Sequence, residues 1–222
     1  MGPPGKDLPE LAQGEPLTAV EVRVLGCLME KEATTPDVYP LTLNALRTAC
    51  NQSSNRDPVV SYDDRTVQSA LDSLRARSLT RVVYSTTNRA TKYRHVLPEA
   101  LDLQPAEMAV LTVLLLRGPL TVGEVRTRTD RMHAFGSLAE VEQVVDGLAG
   151  REPPLVRRLS QAPGQKDVRV AHLLAGEPAD RPTTAGDRAT TTTSRGDDRL
   201  SALEAEVASL RTEVAELRAL LE

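Results

Sequence analysis

Apolar residues near the start of the chain recur with the period of an amphipathic helix. Over residues 20–28 they fall at helical spacing, which places them on one face of a helix. Thr18 is followed three residues later by Glu21, the pattern of a capping box at the start of a helix. We therefore predict a first helix from Thr18 to about Lys31.

Two more helices are predicted downstream of the first. The second spans residues 41–50, and Asn51 suits its C-terminal cap because asparagine tolerates a left-handed backbone. The third begins near Ser61 or Asp63 and ends at about Ser78. The positions of the third helix expected to face inward are Val67, Ala70, Leu71 and Leu74.

A hairpin follows the third helix. Residues 80–85 and 91–97 are rich in β-branched and aromatic side chains and flank the turn TTNRA, which indicates two antiparallel strands. Three helices followed by a hairpin are typical of a winged helix, a helix-turn-helix variant in which the hairpin forms the wing.

Three segments of this unit recur later in the chain in the same order. TAVEVRVL at 18–25 corresponds to QPAEMAVL at 104–111, PLTLNALRT at 40–48 to PLTVGEVRT at 119–127, and VQSALDSL at 67–74 to VEQVVDGL at 141–148. The offset shrinks from 86 to 79 to 74 residues, so the first copy has the longer loops. One fold is therefore used twice.

The second copy predicts the same elements. Its helices are expected at about 105–117, 121–129 and 137–150, and its hairpin in LVRRLSQ and DVRVAHLL. The predicted fold class is α+β, mainly α with small β hairpins, in two tandem winged-helix domains. The predicted domains are a disordered N-terminal segment at 1–16, winged-helix domain 1 at 17–102, winged-helix domain 2 at 103–174, a disordered linker at 175–198 and a coiled-coil oligomerisation helix at 199–222.

The linker and the final helix are inferred from composition and spacing. The linker is rich in Thr, Gly, Pro and Asp and nearly free of apolar residues, a composition typical of disorder. In the final segment, heptad position a is occupied by Leu and the branched residue Val, and position d by Leu. This pattern favours a parallel two-stranded coiled coil and a homodimer. A lone amphipathic helix docked on the protein's own core is the alternative. The predicted oligomerisation residues are Leu200, Leu203, Val207, Leu210, Val214, Leu217 and Leu221.

Composition excludes several classes of protein. The net charge is −4 with 26% charged residues, which by itself does not suggest a nucleic-acid partner. The longest apolar run, residues 108–116, is far shorter than the roughly 20 residues of a membrane span, and we expect a cytoplasmic location without membrane contact. Cys27 and Cys50 lie outside any metal-binding spacing, and we expect buried, reduced cysteines.

No catalytic constellation is found in the sequence. His95, His133 and His172 are scattered, and two of them lie on predicted strands. Phosphate-binding loops, metalloprotease motifs and nucleophile elbows are missing from the sequence. We therefore expect a protein that is not an enzyme and that has no cofactor.

Long segments of both copies resemble a known family. The runs RVLGCLMEKEATTPDVYPLTLNALRTACNQSSNR, RTRTDRMHAFGSLAEVEQVVDGLA and PGQKDVRVAHLL look like the YceH family of uncharacterised bacterial proteins, over about residues 17–174. This resemblance implies a tandem winged-helix fold and no established biochemical activity. Ser53 departs from the family pattern, in which Lys is expected, and removes a positive charge from its loop.

A basic segment of the first copy predicts a duplex DNA interface. Residues 75–94 contain six basic residues and no acidic one. The third helix of such a unit enters the major groove, and Asp63 and Asp64 at its start oppose phosphate approach. The residues predicted to contact DNA are Arg65, Gln68, Ser69, Arg75, Arg77, Arg81, Arg89, Lys92 and Arg94.

Two functions remain open from sequence. The basic segment favours a DNA-binding regulator. The acidic total charge, and outward acidic residues at Glu140, Glu142 and Asp146 in the second copy, favour a protein-interaction scaffold with a partner at domain 2. A solvated basic face on a structural domain is the bland interpretation of the basic segment.

The polar loop at residues 51–56 also has two interpretations. Its amide and hydroxyl side chains surround a single cation, Arg56. They either satisfy buried backbone groups between the second and third helices or approach the phosphate backbone of DNA. The direction in which the amide side chains point decides between them.

Overall fold

Two halves with the same order of elements make up the part of the chain that the computed structural model describes, residues 15–84, 90–160 and 167–178. All of these residues belong to one compact unit. The structure does not describe the oligomerisation residues predicted between 200 and 221, most of the predicted linker, most of the predicted N-terminal segment or Arg89. The predicted domain boundaries stay predictions.

The first half contains three helices and a three-stranded antiparallel sheet, followed by a short fourth helix. Its elements are α1 Ala19–Thr34, a 3₁₀ turn Pro36–Val38, β1 Leu41–Thr42, α2 Leu43–Cys50, α3 Asp64–Ala76, β2 Thr80–Val83, β3 Lys92–His95 and α4 Leu97–Leu101. The strand order is β1-β3-β2, and Tyr93 of the central strand pairs with Leu41 on one side and Val82 on the other.

The second half repeats this arrangement. Its elements are α5 Pro105–Arg117, β4 Leu120–Thr121, α6 Val122–Thr129, α7 Leu138–Ala149, β5 Val156–Arg158 and β6 Arg169–His172. The strand order β4-β6-β5 matches that of the first sheet. His95 and His172 occupy equivalent positions, since each ends the central strand opposite the first residue of its neighbour. The predicted repeat and the α+β class are confirmed.

Side-chain caps fix the helix starts that the sequence predicts. The Thr18 backbone N–H donates to Glu21 Oε2 at 2.6 Å, and the Glu21 N–H donates to Thr18 Oγ1 at 3.3 Å, which completes the capping box. The second helix begins at Leu43, later than predicted, because the two preceding residues pair with β3 and Thr42 is its N-cap.

Asn51 is the C-cap of α2, as predicted, and its N–H donates to the Arg47 carbonyl, but the left-handed backbone expected there is wrong. This residue has φ −90° and ψ 8°, and its side chain is used instead. Asn51 Nδ2 donates to the Tyr62 carbonyl and Asn51 Oδ1 accepts from the Tyr62 N–H, both at 2.8 Å. The amide therefore replaces a backbone partner and holds the end of the loop against the end of α2. Asn55 has the left-handed backbone in this loop, with φ 58°.

The two halves share one hydrophobic core, and α1 and α5 lie at its centre. Every residue from 21 to 29 in α1 and from 109 to 116 in α5 is buried, as expected for helices covered on all sides. The helices approach closely at Gly26, where an added Cβ would lie 3.0 Å from a Leu116 side-chain carbon. The segment before α1 also meets the segment after β6, since the Leu17 N–H donates to the Leu174 carbonyl at 2.9 Å.

Among the described helices, none combines the length and the apolar character that a membrane span requires.

Candidate nucleic-acid interface

Helix α3 orients its side chains as the sequence predicts. Its four predicted inward residues are buried, so the opposite face turns to solvent. Arg65 and Ser69 are exposed on that face and have no hydrogen-bond or ion-pair partner among the described residues. We call these two residues the helix surface.

Gln68 is tied to its neighbours within the protein. Its Oε1 accepts from the Tyr93 hydroxyl at 3.1 Å, and its Nε2 donates to Asp72 Oδ1 at 3.2 Å. The amide thereby fastens α3 to the central strand β3. To contact a base edge, Gln68 would first have to release one of these bonds.

The N-terminus of α3 is acidic. Asp63 is the N-cap, and its Oδ1 accepts from the Thr66 N–H at 2.8 Å. These hydrogen bonds lower the pKa of the fully exposed Asp63 carboxyl. Asp64 follows in the first turn and lies 3.2 Å from Arg47 Nε of α2. The helix end that would meet phosphates most readily therefore carries two carboxylates.

Two of the predicted DNA-contacting arginines are bound by the protein. Arg75 Nη2 lies 3.6 Å from Asp72 Oδ1 on the helix surface side. Arg77 Nη1 donates to the Glu15 carbonyl. In the second half, Arg151 Nη1 donates to the Leu101 carbonyl at 2.6 Å, at the equivalent point of the repeat. The recurrence of this contact indicates that Arg77 closes its half of the fold.

The remaining basic residues lie on one face of the first sheet. Side chains alternate across a strand, and Tyr93 and His95 of β3 are buried, so Lys92 and Arg94 point to the other face. Arg81 of β2 is the cross-strand partner of Arg94 and shares that face. We call Arg81, Lys92 and Arg94 the hairpin surface.

The hairpin surface is open, apart from one ion pair. Arg94 Nη1 donates to Glu99 Oε1 of α4 at 2.9 Å, and this contact outweighs burial and lowers the Glu99 pKa. The side chains of Arg81 and Lys92 have no hydrogen-bond or ion-pair partner in the described part of the chain. Because Tyr93 meets α3 from the opposite face, the predicted interface divides into two separate surfaces, one on the helix and one on the hairpin.

The polar loop between α2 and α3 is built inward. The Arg56 side chain has no exposed surface, and its Nη1 and Nη2 donate to Glu30 Oε1 at 3.0 Å and Oε2 at 2.5 Å. Arg56 also donates to Gln52 Oε1 at 2.9 Å and to the Ala49 carbonyl at 3.1 Å. Burial alone would raise the Glu30 pKa, but Arg56 reverses this and holds it below its ordinary value.

The loop also connects the two halves. The Asp57 N–H donates to the Leu116 carbonyl at 2.9 Å, and Asn55 Oδ1 accepts from Arg117 Nη2 at 3.0 Å. From α1, Arg23 Nη2 donates to the Pro58 carbonyl at 2.6 Å. Of the two interpretations, the structure favours the internal one, because Asn51, Gln52 and Asn55 all bind protein groups.

Sequence reasoning missed the partners of this loop. Glu30 and Arg23 lie on α1, 26 and 35 residues before the groups that they bind. The available signal was Arg56 itself, a single cation among amides and hydroxyls in the loop that joins α2 to α3.

In the second half, the outer face of α7, which corresponds to the outer face of α3, is acidic. Glu142 and Asp146 of α7 are exposed, and Asp146 Oδ1 accepts from Arg158 Nη2 at 2.8 Å. Glu140 is half-buried, and its Oε2 accepts from the Gly136 N–H at 2.8 Å. This face would repel phosphates.

Other residues considered for chemistry are buried singly or in pairs. Cys27 and Cys50 are free thiols with no exposed surface. Burial lowers the pKa of His172 to about 4. Within the described ranges, no three His, Cys, Asp or Glu side chains are grouped to hold a metal ion.

Comparison with known proteins identifies the family. Residues 17–165 match the family described as "Protein of unknown function, DUF480". A "UPF0502 protein" of Geobacter sulfurreducens is 57% identical over 162 residues, which cover 73% of this chain and 74% of that protein. A second, from Opitutus terrae, is 55% identical over 174 residues, covering 75% and 76%. The chain therefore belongs to this DUF480, or YceH/UPF0502, family of uncharacterised proteins.

Proposed function

We propose that each half is a winged helix and that the protein binds duplex DNA through the first half. The observation that carries the proposal is the hairpin surface. Three cations share one face of a sheet whose strands contain no acidic residue. Such a face suits neutralisation of backbone phosphates, the contact that supplies most of the affinity for DNA.

The division of the basic residues determines the kind of binding. Phosphate contacts position a protein on DNA, and base contacts specify the sequence. Arg65 and Ser69 are open to solvent for base contacts, whereas Gln68 is held by Tyr93. We therefore propose binding that tolerates many sequences and that depends mainly on Arg81 and Lys92.

The test measures the salt dependence of binding. The full-length chain and the variant Arg81→Ala/Lys92→Ala are titrated with fluorescent random-sequence duplex DNA over a series of salt concentrations. The matched control is Arg128→Ala/Arg131→Ala, which removes two positive charges at exposed positions of the second half. If Arg81 and Lys92 each contact a phosphate, the log–log slope falls by about 2, since each contact contributes about 0.9.

Two results would contradict the proposal. An equal loss of slope in both double variants would show that binding reflects total charge and not the hairpin surface. Failure of the unmodified protein to bind duplex DNA at low salt would exclude DNA binding and leave the second candidate function.

The second candidate is a protein-interaction scaffold, favoured by the outer face of α7. Glu142 and Asp146 are exposed there, and Leu138 at the start of the helix exposes 48% of its surface. An apolar residue beside carboxylates suits a partner with a basic rim around an apolar pocket.

We also propose that residues 199–222 form a parallel coiled-coil dimer. The support is the heptad spacing of the sequence alone, because these residues lie outside the described ranges. Analytical ultracentrifugation of the full chain should give a dimer that the change Leu210→Glu at a d position converts to a monomer. A monomeric unmodified chain would contradict this.

A further inference from the structure

A cavity lies where the two halves meet, between α1, α4 and α5. Its volume is about 230 Å³, and its walls include Met29, Pro98, Met108, Thr112 and Met132. Ligand pockets usually measure about 300–1,000 Å³, so this cavity admits a compact molecule. Buried residues of α1 and α5, among them Met29 and Thr112, form the inner part of its wall.

Methionine is concentrated at this cavity. The chain has four methionines, and the three after Met1, namely Met29, Met108 and Met132, all line it. Methionine is flexible and its sulfur is polarizable, which makes it common on surfaces that adapt to a ligand. The wall is thus both apolar and adjustable.

Glu32 provides the single charge of the cavity. Among the described residues that line it, no other carries a charge. Glu32 Oε2 lies 2.7 Å from His95 Nε2, and the side chain is 42% exposed. Glu32 Oε1 makes no hydrogen bond with the described residues.

The other polar wall group is already used. The Thr112 hydroxyl donates to the Met108 carbonyl at 2.7 Å, so it does not donate to Glu32. The cavity therefore presents an apolar wall and one carboxylate oxygen that can still accept a hydrogen bond. Groups that donate and carry positive charge satisfy such an oxygen best.

From this arrangement we propose that the cavity binds a compact organic cation, an alkyl or arylalkyl ammonium. The ammonium group pairs with Glu32, and the hydrocarbon body lies among Met29, Met108 and Met132. A carboxylate ligand would be repelled by Glu32, and a neutral alcohol would leave its charge without a counterion. The residues of this site are not those of the hairpin surface.

The chain contains its own reporters for the test. The full-length protein is labelled at the methionine methyl groups and titrated with n-hexylammonium or phenethylammonium, up to about 10 mM, the range of weak affinities. The methyl signals of Met29, Met108 and Met132 should shift and saturate together. Hexanol should bind at least about tenfold more weakly, and hexanoate should leave the signals in place.

Two variants and a control separate the charge from the cavity. Glu32→Gln keeps a hydrogen-bond acceptor beside His95 and should weaken ammonium binding at least about tenfold. Ala33→Phe, at an exposed position of the cavity wall, should block binding of both ammonium and alcohol. The control Glu142→Gln removes an exposed carboxylate on α7 and should bind like the unmodified protein.

The proposal is overturned by any of three results. These are unchanged methionine signals with both ammonium probes at the highest concentration, equal affinity of Glu32→Gln and the unmodified protein, and equal affinity for hexanoate and hexylammonium. None of these measurements involves DNA, so the proposed function can fail while this one stands.

Discussion

Replacing Arg56 by methionine should destabilise the protein strongly at neutral pH. The guanidinium is fully buried and donates to Glu30, Gln52, Asn55 and Ala49. Methionine fills much of the same volume but leaves the Glu30 carboxylate, only 13% exposed, with the more distant Lys31 Nζ at 3.6 Å as its remaining cation. Removing one partner of a buried ion pair costs about 3–5 kcal/mol, a large part of the roughly 5–15 kcal/mol that stabilises a typical domain.

The effect of this substitution should depend on pH. In the native protein Arg56 keeps the Glu30 pKa below its ordinary value, so the carboxylate contributes stability above about pH 4.3 that is lost as pH falls through the folded pKa. In Arg56→Met, the two contributions of Arg56 are lost and only Lys31 still opposes burial, so the Glu30 pKa should rise. As pH falls, protonation of Glu30 removes the buried charge in the variant. The difference in the free energy of unfolding between the variant and the unmodified protein should therefore shrink from pH 7 towards pH 4. It should shrink by about 1.4 kcal/mol for each unit by which the Glu30 pKa differs between the two proteins.

Urea unfolding followed by circular dichroism at several pH values measures both effects. The matched control is Arg47→Met, because Arg47 and Asp64 form an ion pair with side chains 39% and 59% exposed, and such pairs contribute about 0–1 kcal/mol. Adding Glu30→Gln to Arg56→Met should restore part of the lost stability, since no buried charge remains. The reasoning is refuted if Arg56→Met costs no more than Arg47→Met at pH 7, or if its cost does not change with pH.

Three further substitutions or reactions test the packing. Gly26→Val should lower the free energy of unfolding by about 1–3 kcal/mol, because its side chain would meet Leu116 across the α1–α5 contact; an unchanged midpoint in urea would argue against close packing there. The Cys27 hydrogen bond and burial raise the pKa of the Cys50 thiol, so Ellman's reagent should label neither cysteine until the protein unfolds, and fast labelling of the native protein would contradict the buried placement. His172 has a pKa of about 4 in the folded protein, below the value of about 6.5 in the unfolded chain. The free energy of unfolding should therefore fall by up to about 3 kcal/mol as pH falls from 6.5 to 4. His172→Leu should remove this part of the pH dependence, and equal pH profiles of the two proteins would refute the reasoning.

The helices could be predicted from sequence because their signals are local. Capping boxes and apolar spacing involve residues three or four apart, and they placed the start of α1 at Thr18 and the buried face of α3 correctly. The repeat added independent support, since each copy predicted the other. The cap position of Asn51 was also predicted correctly, but the role of its side chain was not, because that role depends on Tyr62, a residue across the loop.

Charge in the candidate interface was harder to predict than secondary structure. The basic segment has no acidic residue within it, yet the partners of its arginines come from outside. Glu99 binds Arg94, Asp72 lies beside Arg75, and the backbone of residue 15 binds Arg77. A count of basic residues along the sequence therefore overestimates the positive charge that is available to phosphates. The folded structure is needed to distinguish the basic side chains that have acidic or carbonyl partners from those that do not.

The long polar loop of the first copy is explained by its position in the pair of halves. The connection from α2 to α3 takes up residues 51–63, whereas the equivalent connection in the second half takes up only 130–137. The longer loop reaches α5, where Asp57 and Asn55 bind residues 116 and 117 at its end. In the second half, Arg126 holds the shorter loop by donating to the carbonyls of residues 135 and 136. The extra residues of the first copy thus join the two repeats, and the polar side chains in them serve that junction.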